Sequence, residues 1–207
     1  MRAAIFDLDG VIVDTAKYHY LAWKRLANDL GFDFTEKDNE RLKGVSRIRS
    51  LEILLEIGGL TLDEATKTKI AAQKNDWYVD SISRMDESEI LPGVVEYVKS
   101  IRAKGIKTAI GSASKNTPLI LERLGISSLF DVIVDGNKVS KAKPDPEIFL
   151  RAAEELNIRP AECVVFEDAE AGIEAAHRAG MKAVGIGRPF VLKDADAVID
   201  GLYQLMA

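Results

Sequence analysis

The sequence predicts an α/β protein in which helices cover an open parallel sheet and a helical segment is inserted after the first strand. Apolar runs of strand length recur and end in Asp, Gly or Ser. Helical patterns lie between the later runs, and such alternation favours parallel strands. One long interval lacks strand-like runs and is helical instead. The runs span residues 3–6, 107–110, 132–134, 163–166 and 183–186.

The first run is followed by Asp7 and Asp9, and Gly10 permits a sharp departure of the chain from the strand. Two carboxylates at a strand end suit nucleophilic chemistry, because one can attack while the other turns toward the leaving atom. Taken alone, the pair is more typical of a solvated turn. The ends of the other strands must therefore distinguish the two interpretations.

The interval of residues 15–89 has the apolar spacing of several consecutive helices, with a break at residues 43–46. In an open α/β sheet, ligands bind beyond the carboxyl ends of the strands, and an insertion leaving that end would cover the site. We therefore predict an α/β core formed by residues 1–14 and 90–207, with residues 15–89 as a helical cap.

The later part of the chain contains helical patterns at residues 94–104, 118–124, 145–156 and 169–179. The loop GSASKN after the second strand offers hydroxyls and backbone amides ahead of a helix, which suits a phosphate. Lys143 precedes the next helix, and Glu167 and Asp168 end the fourth run, where hard oxygen ligands could hold Mg²⁺. Capping residues and solvated charges are the alternative interpretation of each feature alone.

Composition narrows the possible functions. The chain has 207 residues and a formal net charge of −5, which disfavours a general nucleic-acid binder. No apolar run reaches the length of a membrane span, so we predict no membrane partner and a cytoplasmic location. The single cysteine, Cys163, lies in an apolar stretch and is predicted to be a buried thiol.

Together, the four strand-end segments resemble the motifs of the haloacid dehalogenase superfamily of phosphotransferases. The segments are FDLDGVIVDT, GSAS, Lys143 within KAKPDP, and FEDAEAGIEAAHRAGM. The resemblance covers essentially the whole chain and implies a Rossmann-like core with Mg²⁺ as cofactor. It implies that Asp7 is the nucleophile, that Asp9 is the general acid and base, and that Ser112, the Ala113 amide and Lys143 hold the phosphoryl group. The implied metal ligands are Asp7, the Asp9 carbonyl, Glu167 and Asp168.

The inserted segment resembles the helical C1 cap of the β-phosphoglucomutases within that superfamily, through TAKYHYLAW, LKGVSR, Ser50 and QKND. This resemblance implies interconversion of β-D-glucose 1-phosphate and β-D-glucose 6-phosphate through an aspartyl-phosphate enzyme and a 1,6-bisphosphate. It also implies that His19 couples cap closure to Asp9 and that Arg47 receives the phosphate that is not being transferred. Further implied substrate contacts are Lys43, Gly44, Val45, Ser46, Ser50, Lys74, Ser114 and Asn116.

Two other functions stay open at this point. The same core chemistry serves a sugar-phosphate or phosphoglycolate-type phosphatase, in which water receives the phosphoryl group. A non-catalytic phosphosugar-binding regulator would also need the glycines and basic cap residues, but ligand binding needs no nucleophile. We expect a small phosphosugar as substrate and a monomeric protein.

Overall fold

The fold was analysed in a computed structural model that describes residues 1–42 and 45–206. Six parallel strands form one sheet in the spatial order β3-β2-β1-β4-β5-β6. This arrangement confirms the predicted parallel α/β core. The strands are β1 (Ala3–Phe6), β2 (Lys107–Gly111), β3 (Val132–Val134), β4 (Cys163–Glu167), β5 (Lys182–Ile186) and β6 (Ala197–Ile199).

The first strand occupies the centre of the sheet. All four residues of β1 are buried, since the sheet carries helices on both faces and neither side of the strand meets water. Phe6 lies opposite Ile110 of β2 and Phe166 of β4. Because these three strands end in register, the residues that follow them meet at one edge of the sheet.

Eight α-helices are present in the described part of the chain. The four later helices match the predicted segments to within two or three residues at each end. The inserted segment is less continuous than predicted, because only a one-turn helix and a 3₁₀ turn at residues 40–42 lie between α1 and its break. The helices are α1 (Ala16–Asp29), α2 (Glu36–Asn39), α3 (Arg47–Gly58), α4 (Glu64–Ile82), α5 (Val94–Ala103), α6 (Thr117–Arg123), α7 (Glu147–Leu156) and α8 (Glu170–Arg178).

Side-chain caps fix the starts of helices α3 and α4 of the insertion. The Ser46 hydroxyl accepts a hydrogen bond from Arg49 N at 3.3 Å at the start of α3, and the helix ends at Gly59, whose φ of 63° is left-handed. Asp63 caps α4 by accepting a hydrogen bond from Thr66 N at 3.0 Å. The cap at Ser46 places Arg47 on the first turn of α3.

Buried apolar side chains form three clusters. Two of them cover the faces of the sheet, and the first includes Phe6, Phe130 and Phe166 while the second includes Ile5 and Phe149. A third cluster lies within the insertion, where α1, α3 and α4 pack around residues such as Trp23, Phe34, Leu51 and Leu54. The domain limits at residues 14/15 and 89/90 stay predictions.

Cys163 is buried, as predicted. No helix among residues 1–42 and 45–206 is both long enough and apolar enough to cross a bilayer. The cytoplasmic location and the monomeric state stay predictions.

Candidate active site

A cavity of about 490 Å³ lies between the carboxyl ends of the strands and the inserted helices. It brings together most of the site residues that the sequence predicts, from both parts of the chain. From the core these are Asp7, Asp9, Ala113, Ser114, Asn116, Lys143 and Asp168, and from the insertion they are His19, Val45, Ser46, Arg47, Ser50 and Lys74.

The remaining predicted residues are not on the cavity wall. Ser112 and Glu167 are fully buried at the strand ends, and each contacts a residue that lines the cavity. Lys43 and Gly44, both predicted substrate contacts, lie outside the described residues.

A buried ion cluster forms the floor of the cavity. The Lys143 ammonium donates hydrogen bonds to Asp7 Oδ1 at 2.6 Å and to Glu167 Oε2 at 2.8 Å, and its side chain has no solvent exposure. Burial lowers the pKa of Lys143, but the charges of Asp7 and Glu167 outweigh this and hold the pKa above its ordinary value. Burial, reinforced by the Asp7 and Asp168 carboxylates, raises the pKa of Glu167 to about 8. Lys143 is therefore a permanent positive charge beside Asp7.

Three carboxylates of this floor could hold a metal ion. Asp7, Glu167 and Asp168 each place one oxygen within 4.8 Å of the others. Such an all-oxygen set fits a hard divalent cation and lacks the His or Cys ligands that zinc favours. Two glycines leave space for the cluster, because a Cβ at Gly10 would overlap the Asp168 carboxylate and one at Gly172 would overlap Glu167.

The loop after β2 faces the floor and is ordered by its own hydroxyls. Ser112 Oγ accepts from Ser114 N at 3.1 Å, and Ser114 Oγ accepts from Asn116 N at 3.2 Å. Asn116 precedes α6, but its side chain makes no capping hydrogen bond to that helix. It instead donates to Asn75 Oδ1 of α4 at 2.9 Å. This hydrogen bond connects the core to the insertion at the cavity wall.

Asp9 lies where the chain leaves β1. Its carboxylate accepts a hydrogen bond from the hydroxyl of Thr15, the residue before α1. Burial, followed by repulsion from Asp7, raises the pKa of Asp9 to about 7. A carboxyl group with a pKa near 7 can both donate and accept a proton at neutral pH.

The roof of the cavity is basic. Lys74 Nζ lies 2.9 Å from His19 Nδ1, and it stands over the rings of Trp23 at 4.4 Å and Tyr78 at 4.8 Å. Burial and the Arg47 charge lower the pKa of Lys74 to about 7. Burial, Lys74 and Arg47 lower the pKa of His19 well below its usual value, so its imidazole is neutral at pH 7.

Sequence reasoning missed several features of this site. Asn75 belongs to the QKND segment but has no predicted role, and Thr15 is the last residue of the first motif and has no predicted role either. The sequence signal for Asn75 is its position next to Lys74, a predicted substrate contact, and both residues line the cavity. Trp23, which has no predicted role at the site, both belongs to the apolar cluster of the insertion and lines the cavity.

Comparison with known proteins identifies the family. The model of the haloacid dehalogenase-like hydrolases matches residues 1–180. The chain belongs to this family and is an enzyme. The resemblance inferred from the four motifs is therefore confirmed.

Similar proteins of the family include a mutase and phosphatases. The chain is 46% identical over 201 residues to a β-phosphoglucomutase from Bacillus subtilis, covering 96% of this chain and 89% of the relative. It is 33% identical over 183 residues to a fructose-1-phosphate phosphatase from Escherichia coli, covering 88% and 94%. A crystal structure of β-phosphoglucomutase from Clostridium difficile superposes with a TM-score of 0.95 at 45% identity, covering 99% of this chain and 93% of that chain.

Proposed function

We propose that this hydrolase-family enzyme is a phosphosugar mutase that interconverts β-D-glucose 1-phosphate and β-D-glucose 6-phosphate. The observation that carries the proposal is the distribution of cations around one cavity of about 490 Å³. Lys143 lies beside the nucleophile on the core, and Arg47 lies on the inserted helix α3. A bisphosphate needs a cation for each phosphate, whereas hydrolysis of a monophosphate needs only the first.

In the proposed reaction, Asp7 carries the phosphoryl group as an aspartyl phosphate. The C6 hydroxyl of β-glucose 1-phosphate attacks this phosphorus, the bond from phosphorus to the Asp7 oxygen breaks, and Asp9 accepts the hydroxyl proton. The 1,6-bisphosphate then turns around. Asp7 attacks the phosphate on C1, the bond from phosphorus to O1 breaks, and Asp9 returns its proton to O1. Glucose 6-phosphate leaves and the aspartyl phosphate is restored.

The remaining core residues would hold the transferring group. Ser112, Ser114 and the Ala113 amide offer donors on a loop that its own hydrogen bonds already order, so little reorganisation is needed during transfer. Lys143 supplies a fixed positive charge. Arg47 and Ser46 on the opposite wall, together with Asn116 of the core, would bind the distal phosphate, while His19 and Lys74 would contact the sugar.

Mg²⁺ is the cofactor that this donor set fits, with Asp7, Glu167, Asp168 and the Asp9 carbonyl as its ligands. When bound, the ion neutralises the negative charge that otherwise repels a phosphate dianion from Asp7. We expect exhaustive chelation to abolish turnover and added Mg²⁺ to raise the melting temperature. Asp168→Asn should lose most of that stabilisation, as measured by thermal denaturation with and without Mg²⁺. Unchanged turnover in chelator would contradict the assignment.

The variant Arg47→Ala tests the mutase against a phosphatase. Loss of a charge-assisted phosphate contact costs about 1.5–3 kcal/mol, so interconversion of the hexose phosphates should fall about 10- to 150-fold. Hydrolysis of acetyl phosphate, which has no distal phosphate, should stay within a few-fold of the parent. Turnover of β-glucose 1-phosphate with a trace of the 1,6-bisphosphate measures the first rate, and phosphate release measures the second.

Arg49→Ala is the matched control. Arg49 lies on the same helix, half a turn away, and pairs with Glu52 and Glu56 on the exposed surface. We expect it to leave both rates unchanged. An equal fall of both rates in Arg47→Ala would assign Arg47 to support of the insertion. If neither rate fell, Arg47 would not be the residue that binds the distal phosphate, and this result would favour the phosphatase.

A further inference from the structure

Two chain segments connect the insertion to the core, and they lie side by side. The outgoing segment pairs with the returning one through an antiparallel bridge between Val13 and Ile90, and Leu91 N donates to Ile12 O at 3.0 Å. The returning segment contains Glu89 in a 3₁₀ turn at residues 87–89. Any change in the orientation of the insertion relative to the core must therefore change the conformation of these two segments.

Glu89 holds the first turn of α1 from the returning segment. Its Oε1 accepts a hydrogen bond from the Tyr18 hydroxyl at 2.7 Å, and its Oε2 lies 2.5 Å from Lys17 Nζ. Hydrogen bonds from Lys17 and Tyr18 lower the pKa of Glu89, so it is ionised at neutral pH. The Glu89 side chain is only 21% exposed, which limits the screening of this contact by salt.

The same helical turn reaches the active site on its other side. The Thr15 hydroxyl donates to Asp9 and is not used to cap α1. His19 lies on the wall of the cavity beside Lys74. Without a side-chain cap and without an acidic residue in its first turn, α1 lacks the usual local features that fix a helix start. Glu89, which lies outside the helix, instead fixes this end of α1 through its contacts with Lys17 and Tyr18.

We propose that Glu89 is a positioning residue for the phosphoryl-transfer site. Its contacts with Lys17 and Tyr18 fix the position of the start of α1. Because Thr15 and His19 lie at that end of the helix, these contacts also fix the alignment of Asp9 with the sugar. Glu89 itself does not line the cavity. The inference rests on the proposed function for the identity of the substrate, but the contacts that carry it are independent of the substrate.

The test compares Glu89→Ala with the parent enzyme. We expect kcat for hexose phosphate interconversion to fall about three- to tenfold, the range for loss of one buried hydrogen bond and one partly exposed ion pair. KM should change less than twofold, because the groups that bind phosphate are untouched. Amide exchange in residues 16–20, followed by mass spectrometry, should become faster by a similar factor.

Two further variants separate positioning from stability. Glu87→Gln changes an exposed neighbour in the same 3₁₀ turn and should leave kcat and amide exchange at parental values. The double variant with Lys17→Glu and Glu89→Lys restores opposite charges and should recover at least half of the lost kcat. A structural role alone predicts a lower melting temperature with unchanged kcat per folded molecule.

A kcat for Glu89→Ala within twofold of the parent would overturn the proposal, as would a charge reversal that recovers none of the loss. Failure of the proposed function has a different signature, since the parent would then not interconvert the hexose phosphates at all. In that case, acetyl phosphate hydrolysis and amide exchange of residues 16–20 still report on Glu89. Parental values of both in Glu89→Ala would overturn the positioning role independently.

Discussion

The floor and the roof of the cavity both bury charged side chains, but they do so in opposite ways. On the floor, Lys143 lies between Asp7 and Glu167, and opposite charges compensate one another within 2.8 Å. On the roof, Lys74, His19 and Arg47 are all basic. Burial, followed by the charge of Arg47, lowers the pKa of Lys74, and burial, followed by the charges of Lys74 and Arg47, lowers the pKa of His19. The cation of the floor is paired with carboxylates before substrate arrives, whereas the roof carries an excess of basic groups that an anionic substrate would neutralise.

This difference assigns separate tasks to the two walls. A preorganised floor can stabilise charge that develops during transfer without reorganising. A phosphate bound at the roof favours the charged forms of its basic groups, so part of the cost of burying these groups is recovered as binding energy for the distal end of the substrate. Variants of the floor should therefore damage chemistry and folding, while variants of the roof should damage binding and leave folding intact or improved.

The largest expected effect comes from Asp7→Asn on the floor. An amide cannot form an aspartyl phosphate, so turnover should fall by more than about 10⁴-fold. Binding of the hexose bisphosphate should persist, because the cations of the roof are unchanged. Steady-state assays and titration calorimetry measure the two quantities. Substantial residual turnover would show that Asp7 is not the nucleophile. It would also contradict the assignment of chemistry to the floor and of binding to the roof.

Lys143→Met should have the next largest effect, and on stability. It leaves Asp7 and Glu167 buried together without their cation, at a cost of about 3–5 kcal/mol in the free energy of unfolding. Urea denaturation in metal-free buffer measures this change. Lys138→Met is the control, since that exposed lysine pairs with Glu155 on the surface and should change stability by less than about 1 kcal/mol. A similar small value for Lys143→Met would show that the floor is not held by this cluster.

Lys74→Met on the roof should have the smallest effect and the opposite sign near neutral pH. The folded pKa of Lys74 is about 7, below its ordinary value of 10.5, so the unfolded chain binds more protons between these pH values. The stability that the parent gains in this window as pH rises, up to about 1.4 kcal/mol per pH unit, should be absent in the variant.

Urea unfolding of the parent and Lys74→Met between pH 6 and 9 checks this prediction. The difference in free energy of unfolding should favour the variant at pH 6 and move toward the parent above pH 7. A difference that does not vary with pH would mean that Lys74 stays charged in the folded protein.

Much of this architecture follows from the sequence because the signals are local. The central strands are apolar on both faces, and the residues at their ends, such as Asp7, Ser112 and Glu167, follow directly from where each run stops. A parallel sheet then brings these ends together without further information. The helices around the sheet have clear amphipathic spacing and glycine or capping signals at their ends, which explains the agreement of their limits.

Features that depend on pairing distant segments could not be predicted in the same way. Strand β6 has only three residues and a partly exposed pattern, and its pairing with β5 makes it a strand. Two contacts join residues far apart in sequence. One is the hydrogen bond between Asn75 and Asn116, and the other is the hydrogen bond from Tyr18 of α1 to Glu89. The pKa shifts of Asp9 and Lys74 arise from burial, which no pattern of neighbouring residues encodes.

Most buried apolar side chains of the insertion form a cluster of their own, although Ala22, Tyr78 and Ile82 belong to the first cluster of the sheet, and this arrangement has an evolutionary consequence. The side chains that face the far end of the substrate stand on helices that pack mainly on one another, around Trp23, Phe34 and Leu54. Mutations in these helices can change the shape of the roof while the residues at the strand ends keep their positions on the sheet. Selection can therefore change which molecule receives the phosphoryl group without inventing a new way to transfer it.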